Sequence, residues 1–387
     1  MRLLYWKWNS FFNESVEDAL RELKLDYIAY EKNITEWENN KEFELEFEKT
    51  VDINSMPQKI DVIFSINYNP IIAKVAKDKD IVYISWIYDS PIHIRDLSSM
   101  KYKTNRIFIF DRGQVEVYRK QGIESFHLPL RCDYSRLHQT INNSTNIQKE
   151  VYKTDISFVG KLYNNDYGSI MTPIYDYEKG YIEGVIRSQK QLYGVYLLEE
   201  LITNNLVMKM NKAYRERLKE KFKVDRREIE YLVACEITRR ERIIALSIVS
   251  HKNKTFLYSN ETDKDLKKVV NKGYIDYNTQ LPLAFNNSKI NLNITLKTIR
   301  TGIPLRVWEI IGSNGFVISN FQEEIAEYFD IGNDIVMYDD VEQLAELTDF
   351  YLKNDAERNR IRENGIKRLK SLGTIKNQIE VMLKKIK

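Results

Sequence analysis

The sequence predicts an α/β protein built from two doubly wound domains, and three observations carry that prediction. β-rich runs alternate with helical patterns along most of the chain. The alternation starts twice, on either side of a segment rich in Asn, Thr and Ser. At 387 residues the chain also exceeds what one hydrophobic core usually organises. Strands separated by helices imply a parallel sheet covered on both faces. In such sheets ligands gather at the carboxyl ends of the strands, so the loops that follow the strands matter most.

In the first series, residues 2–6, 26–30, 43–47, 61–65, 81–86, 106–110 and 125–128 carry strand composition, with helical patterns at 14–24, 70–78 and 112–120. They define a first domain over residues 1–136. Residues 137–154, LHQTINNSTNIQKEVYKT, have little apolar periodicity and read as a linker. The second series has strands at 155–160, 255–259, 273–277, 289–294, 315–319 and 334–338, in a domain over 155–373. Between about 175 and 251 the alternation stops. The pattern there is long-helical, interrupted around Gly180, Gly184 and Gly194, and reads as a helical insertion in the second domain. Residues 374–387 read as a C-terminal helix that packs back toward the first domain.

Composition removes several function classes. Fifty-nine Lys and Arg against 56 Asp and Glu give a net charge of +3, too balanced to imply a nucleic-acid or membrane partner. One local excess stands out: residues 209–227 hold nine basic residues, which suit a solvated helix face or a docking surface for an acidic acceptor. The opening MRLLYWKWNSFF is too short and too polar for a signal peptide, and no apolar run approaches the roughly 20 residues of a transmembrane helix. Cys132 and Cys235 lie far apart, and none of the four His is paired at ligand spacing, so no metal site is expected. A cytoplasmic protein without a transmembrane segment is the simplest expectation.

The most informative stretch is 289–319, KINLNITLKTIRTGIPLRVWEIIGSNGFVIS. A strand ends near Ile294, a loop carries Thr301, Gly302, Ile303 and Pro304, and a helix runs to about Gly312. Pro304 suits a first helical turn, where its missing N–H would lack a partner anyway. Gly302 lets backbone approach a ligand closely, and the amides and dipole of the helix start favour a diphosphate. Arg306 and Glu309, three apart, share a helix face. The guanidinium can grip phosphate oxygens and the carboxylate can accept both hydroxyls of a ribose. A plain Arg306–Glu309 ion pair fits the same spacing, and spacing alone leaves the two open.

In the first domain the loop after 81–86 contains Tyr88, Asp89, Ser90, Pro91 and His93. A carboxylate there can act as general base to an acceptor hydroxyl or orient a sugar; Asp-Ser-Pro is equally a turn sequence. Asp111 reads as a helix N-cap. Trp8, Asn9 and Ser10 follow the first strand.

These stretches together resemble the CgeB-like glycosyltransferases, a family named after a spore-maturation protein. The likeness is carried by the KINLNI strand, the GIPLR loop, the Glu-containing helix and the GFVIS strand. It extends to SFVGKLY at 157–163, LPLAFNNSKINLNITL at 281–296 and FQEEIAEYF at 321–329, and in the first half to SWIYDSP at 85–91, FIFDRGQVEVYRKQGI at 108–123 and HLPLRCD at 127–133. It covers most of the chain and is weakest over the helical insertion. The resemblance implies the GT-B architecture, two facing Rossmann-like domains with the nucleotide-sugar held mainly by the second. It implies a hexosyl- or N-acetylhexosaminyl-transferase that needs no metal and no cofactor beyond a nucleotide-sugar co-substrate, a UDP-sugar. The acceptor is a glycan, a protein or a small molecule, and nucleic acid is not expected.

By position, the resemblance puts Glu309 where related retaining transferases bind the donor ribose. Those enzymes often carry a second carboxylate eight positions earlier, a place held here by Thr301. Gly160 and Lys161 match the glycine and basic residue beside the diphosphate. Tyr274 falls where a flat side chain would frame the base, although filling the core suits it as well. Asp89 takes the catalytic role, with Asn9, Ser10, Tyr88 and His93 on the acceptor side. A nucleotide-sugar epimerase of the same fold and a non-catalytic glycan- or nucleotide-binding protein are the alternatives.

Overall fold

The computed structural model describes residues 1–56, 58–92, 94–218 and 222–386. They divide into two compact units, Met1–Asp133 with Lys370–Lys387, and Tyr134–Leu369. Each unit holds one six-stranded parallel sheet.

The sheet of the first unit is formed by β1 (Arg2–Lys7), β2 (Asp26–Glu31), β3 (Val62–Ile66), β4 (Val82–Ile87), β5 (Asn105–Ile109) and β6 (Ser125–His127), in the order β2-β1-β3-β4-β5-β6. Strand order therefore reverses between β1 and β3. β3 is buried along its whole length, as expected of a strand covered on both faces. The core gathers Trp6, Phe43, Phe47, Ile63, Tyr83 and Ile107. The strand expected at 43–47 is instead part of the helix Lys41–Asn54. Phe43, Phe47 and Val51, spaced by four, bury one face of it, while Leu45 is 59% exposed. Asn40 starts the helix by accepting the amide of Phe43 at 2.9 Å. The helix Ile375–Leu383 belongs to this unit and packs on the helix Asn13–Glu22.

The sheet of the second unit comprises β7 (Thr154–Val159), β8 (Thr255–Tyr258), β9 (Val269–Asn271), β10 (Ser288–Asn293), β11 (Val317–Asn320) and β12 (Val336–Tyr338), ordered β12-β11-β10-β7-β8-β9. Its reversal lies between β7 and β10, which pair Ile290 with Ile156 and Leu292 with Phe158. The strand expected at 273–277 is displaced. β9 ends before it, and Gly273, at φ 76°, turns the chain out of the sheet in a conformation that favours glycine. Residues 137–154, expected as a linker, are mostly helical, in Tyr134–Asn143 and Asn146–Glu150. Leu137 and Ile141 bury one face of the first. Thr145 and Gln148 form a capping box at the second, so the polar residues that read as a linker act in part as helix caps.

Residues 176–249 are largely helical, in Asp176–Gln191, Leu198–Leu201, Asn204–Leu218 and Arg226–Val249. They gather a separate core that includes Ile182, Met210, Tyr214, Val233 and Ile237. The 24-residue helix Arg226–Val249 serves two cores. Its first half joins the helical cluster, and Leu246 and Val249 pack with Ile156, Leu257 and Leu292 of the sheet. The segment expected as an insertion thus ends in a layer of the α/β unit. Of its basic residues, Lys209 pairs with Glu178 at 3.4 Å, Lys212 with Glu216 at 3.8 Å, and Arg217 lies 4.4 Å over the Tyr175 ring, which fits a solvated helix face. Lys219 and Lys221 lie outside the described residues. No described helix is long and apolar enough to cross a membrane.

Candidate functional site

In the second unit the loops after β7 and β10 leave the same edge of the sheet, because the two strands are parallel neighbours. The helix Leu305–Gly312 starts on that side. Pro304 is its N-cap, at φ −63° and ψ 146°, one position before the first helical turn where it was expected. Glu309 is 2% exposed, and its Oε2 accepts a hydrogen bond from Arg306 Nη1 at 2.7 Å. The ion pair that the spacing allows therefore forms, with the guanidinium 28% exposed and 5.4 Å over the Phe285 ring. Gly302 and Ile303 are buried in the loop before it. Thr301 Oγ1 donates to Glu324 Oε1 at 2.8 Å, and the Thr301 carbonyl accepts the Glu324 amide at 3.0 Å. Glu324 is fully buried. A carboxylate from the helix Glu323–Tyr328 thus lies beside Thr301.

Gly160 follows β7 at φ 155°, a conformation few other residues adopt, and Lys161 beyond it is exposed. The amides of Leu162 and Tyr163 both donate to Glu261 Oε2, the latter at 2.8 Å. These two donors already face an internal carboxylate.

The residue that joins the two loops is Arg242, which the sequence reading missed. Its Nε donates to the Ile294 carbonyl at 3.1 Å, Nη2 donates to the same oxygen, and Nη1 donates to the Lys161 carbonyl. The guanidinium lies 5.0 Å over the Phe158 ring and 4.8 Å over that of Tyr163. Burial holds Arg242 below the usual guanidinium range, Tyr163 and Glu241 oppose that shift, and the charge of Arg306 adds to it. Burial also pushes the Cys235 thiol up to about 11, against a hydrogen bond from Tyr231 and the pull of Arg242 and Lys161. Lys161, Arg242 and Arg306 thus stand at the β7/β10 edge together with the carboxylates Glu241 and Glu261, which oppose their charge. A signal for Arg242 existed: it stands at i, i+4 and i+7 with Leu246 and Val249, a cation within an apolar stripe. Tyr274 follows the edge strand β9 and is 70% exposed, so the reading that it fills the core is overturned.

In the first unit, Asp89 follows β4, and Asn67, which follows β3, holds it. Asn67 Nδ2 donates to Asp89 Oδ2 at 2.6 Å, and Asn67 Oδ1 accepts the amides of Tyr88 and Asp89 at 3.0 and 3.4 Å. Asn67 itself has φ 58°, a left-handed conformation that Asn tolerates better than most residues. The Ser90–Pro91 peptide is cis. Tyr88 places its hydroxyl 3.5 Å from Ser10 Oγ and its ring 6.3 Å from Trp8, nearly parallel to it. Burial and the neighbouring Asp89 raise the proton affinity of this phenol, and Ser10 opposes them. Ser10 Oγ also accepts the Phe12 amide at 3.2 Å, while Asn9 is exposed. Asp89, Tyr88 and Ser10 therefore come together at the ends of β1 and β4, and His93 lies outside the described residues. Asp111 caps the helix Arg112–Lys120, accepting the Gly113 amide at 3.0 Å. Beside Asp89 opens a cavity of about 650 Å³ that also meets Trp8, Trp37, Asn67 and Tyr68.

Residues 210–384 match the family described as Glycosyl transferase-like. The match begins inside the helical segment where the resemblance is weakest, and it takes in Arg242, Arg306 and Glu309. No curated protein matches the chain. In fold it is similar to sucrose-phosphate synthase from Thermosynechococcus elongatus, at 9% identity over 99% of this chain and 98% of that one, with a TM-score of 0.56. It is similar to HepE from Anabaena in complex with UDP-glucose, at 7% identity over 99% and 98% of the two chains, with a TM-score of 0.53. It is also similar to a UDP-forming α,α-trehalose-phosphate synthase from Burkholderia xenovorans, at 12% identity over 100% and 99%, with a TM-score of 0.52. The chain thus has the GT-B fold of two Rossmann-like domains, with a glycosyl transferase-like region over residues 210–384.

Proposed function

We propose that this protein is a glycosyltransferase of the CgeB-like group. It moves a hexosyl or N-acetylhexosaminyl unit from a UDP-sugar to an acceptor hydroxyl, with no metal and no separate cofactor. The observation that carries the reading is the β7/β10 edge, where Arg306 orients the buried carboxylate of Glu309 at 2.7 Å while Lys161 and Arg242 add positive charge. Such an edge suits a nucleoside diphosphate, with the carboxylate accepting ribose hydroxyls and the cations meeting phosphate oxygens. The UDP-glucose of the Anabaena structure and the UDP-forming enzyme of Burkholderia xenovorans, both of this fold, support uridine as the base. The exposed Tyr274 ring is the surface offered to it, and Gly302 the close approach of backbone.

In the transfer the acceptor oxygen bonds to the anomeric carbon, and the bond from that carbon to the diphosphate breaks with its electron pair leaving on UDP. Asp89, oriented by Asn67, takes the acceptor's proton. Lys161, Arg306 and the helix start at Leu305 stabilise the departing charge, which is the task a metal would otherwise perform. The acceptor side comprises Asn9, Ser10, Tyr88 and His93, and the setting is the cytoplasm.

A thermal-shift screen of nucleotide sugars, followed by assay of nucleotide release with candidate acceptors, tests the reading. A UDP-sugar is expected to raise the melting temperature, because a ligand that binds only the folded form stabilises it. No shift with any nucleotide sugar would overturn it. An altered sugar formed from the donor alone would make the protein an epimerase instead.

A further inference from the structure

We propose that the cavity of about 650 Å³ at the β1/β3 reversal of the first unit binds a neutral saccharide. That this sugar carries the acceptor hydroxyl rests on the glycosyltransferase reading; that it binds there does not. Open α/β sheets place ligands where strand order reverses, and Trp8 after β1 and Asn67 after β3 flank that point.

The floor is aromatic and fixed. Trp8 Nε1 donates to the Ile66 carbonyl at 2.8 Å, and Trp37 meets Trp8 edge-on at 5.2 Å and Trp6 at 5.3 Å. Both Trp8 and Trp37 are half-buried, so each keeps ring surface open. Indoles locked before the ligand arrives lose little freedom on binding. The rim is made of carboxylates and amides. Glu38 Oε1 accepts the amides of Arg95 at 2.5 Å and Asp96 at 3.1 Å, which ties the loop after β2 to the loop after β4. Asp89 is held by Asn67 at 2.6 Å, and Glu36 and Asn39 are exposed at the rim.

A pyranose has the complementary faces. Its C–H surface packs on aromatic rings, and its hydroxyls donate to carboxylates and exchange hydrogen bonds with amides. The charge of the lining points to the same class of ligand. Among the described lining residues Glu36, Glu38 and Asp89 outnumber the cation Arg95, so phosphates and nucleotides are repelled where a neutral polyol is not.

The test titrates the full chain with the methyl glycosides of glucose, galactose, mannose and N-acetylglucosamine, together with maltose and cellobiose, read by saturation-transfer NMR on the ligand. At least one is expected to bind saturably, with affinity lowered about tenfold or more in Trp37→Leu and little changed in Glu309→Ala. Leu keeps apolar contact with Trp6 and Trp8 but lacks the ring face. Should that variant fail to fold, Glu36→Gln at the exposed rim is expected to weaken binding about threefold. Binding by none of the glycosides, binding untouched by either variant, or loss of the UDP thermal shift alone in Trp37→Leu would overturn the proposal. UDP thermal shifts on the same samples separate the two readings. A UDP response without glycoside binding removes this inference alone, and glycoside binding without a UDP response removes the transferase reading but leaves the site.

Discussion

Both sheets reverse strand order beside their first strand, β1 against β3 in one unit and β7 against β10 in the other, yet the loops at the two reversals carry opposite chemistry. The first gathers indole rings with Glu36, Glu38 and Asp89. The second gathers Lys161, Arg242 and Arg306 with the carboxylates Glu309, Glu261 and Glu324, of which Glu309 is held by Arg306. Doubly wound architecture fixes where a ligand goes, and the loop residues fix what kind it is. On the proposed reading, one reversal takes hydroxyls and a flat apolar face, the other an anion with a diol attached.

The strongest way to break this contrast is Arg242→Met. It removes the buried cation and leaves the carbonyls of Lys161 and Ile294 without their donor, so stability should fall by about 3 kcal/mol, measured as a lower urea midpoint. UDP affinity should fall with it. On the other side, Asn67→Gly keeps the left-handed backbone but removes the hydrogen bond of its side chain to Asp89. The rate of sugar transfer is expected to drop about a hundredfold with donor KM unchanged, as for a residue that positions a base without touching the nucleotide. Next in size is Thr301→Val, which cuts the link to Glu324 and should raise donor KM by roughly fivefold, the equivalent of about 1 kcal/mol.

The smallest effect separates charge that folds the chain from charge that binds. Burial raises the proton affinity of Glu236, but its hydrogen bonds to Arg239 and Arg240 outweigh this and hold its carboxyl below the usual range. A depressed acid contributes stability that is present above its unfolded value of 4.5 and is lost as pH falls through the folded value. The urea midpoint should therefore decline below about pH 4.5. Glu236→Gln should flatten that decline while leaving UDP affinity at neutral pH unchanged.

The sequence announces what one element contains and conceals what two elements share. β3 is legible because VIFSI is an apolar run bounded by polar residues, and the Arg306–Glu309 pair because both residues sit on one helix three positions apart. Residues 43–47 misled because Phe43, Leu45 and Phe47 satisfy period two as well as period four, and only burial tells them apart: Leu45 faces water. The contacts that hold these residues join segments distant in sequence, loop to loop in Asn67 with Asp89 and helix to loop in Glu324 with Thr301 and Arg242 with Lys161. Each follows from strand order, which periodicity does not encode. The cavity beside Trp37 was hidden for the same reason, since its lining comes from the loops after β1, β2, β3 and β4.

The central claim, that the second reversal holds the nucleotide half of the donor, is tested most directly by calorimetric titration of UDP into the wild-type protein and Glu309→Ala, with both shown to unfold at similar temperatures. The contrast between the two reversals predicts that UDP binds the wild type and binds the variant at least about tenfold more weakly, as the proposed recognition of the ribose by the oriented carboxylate requires. Equal affinity in the two proteins would contradict it.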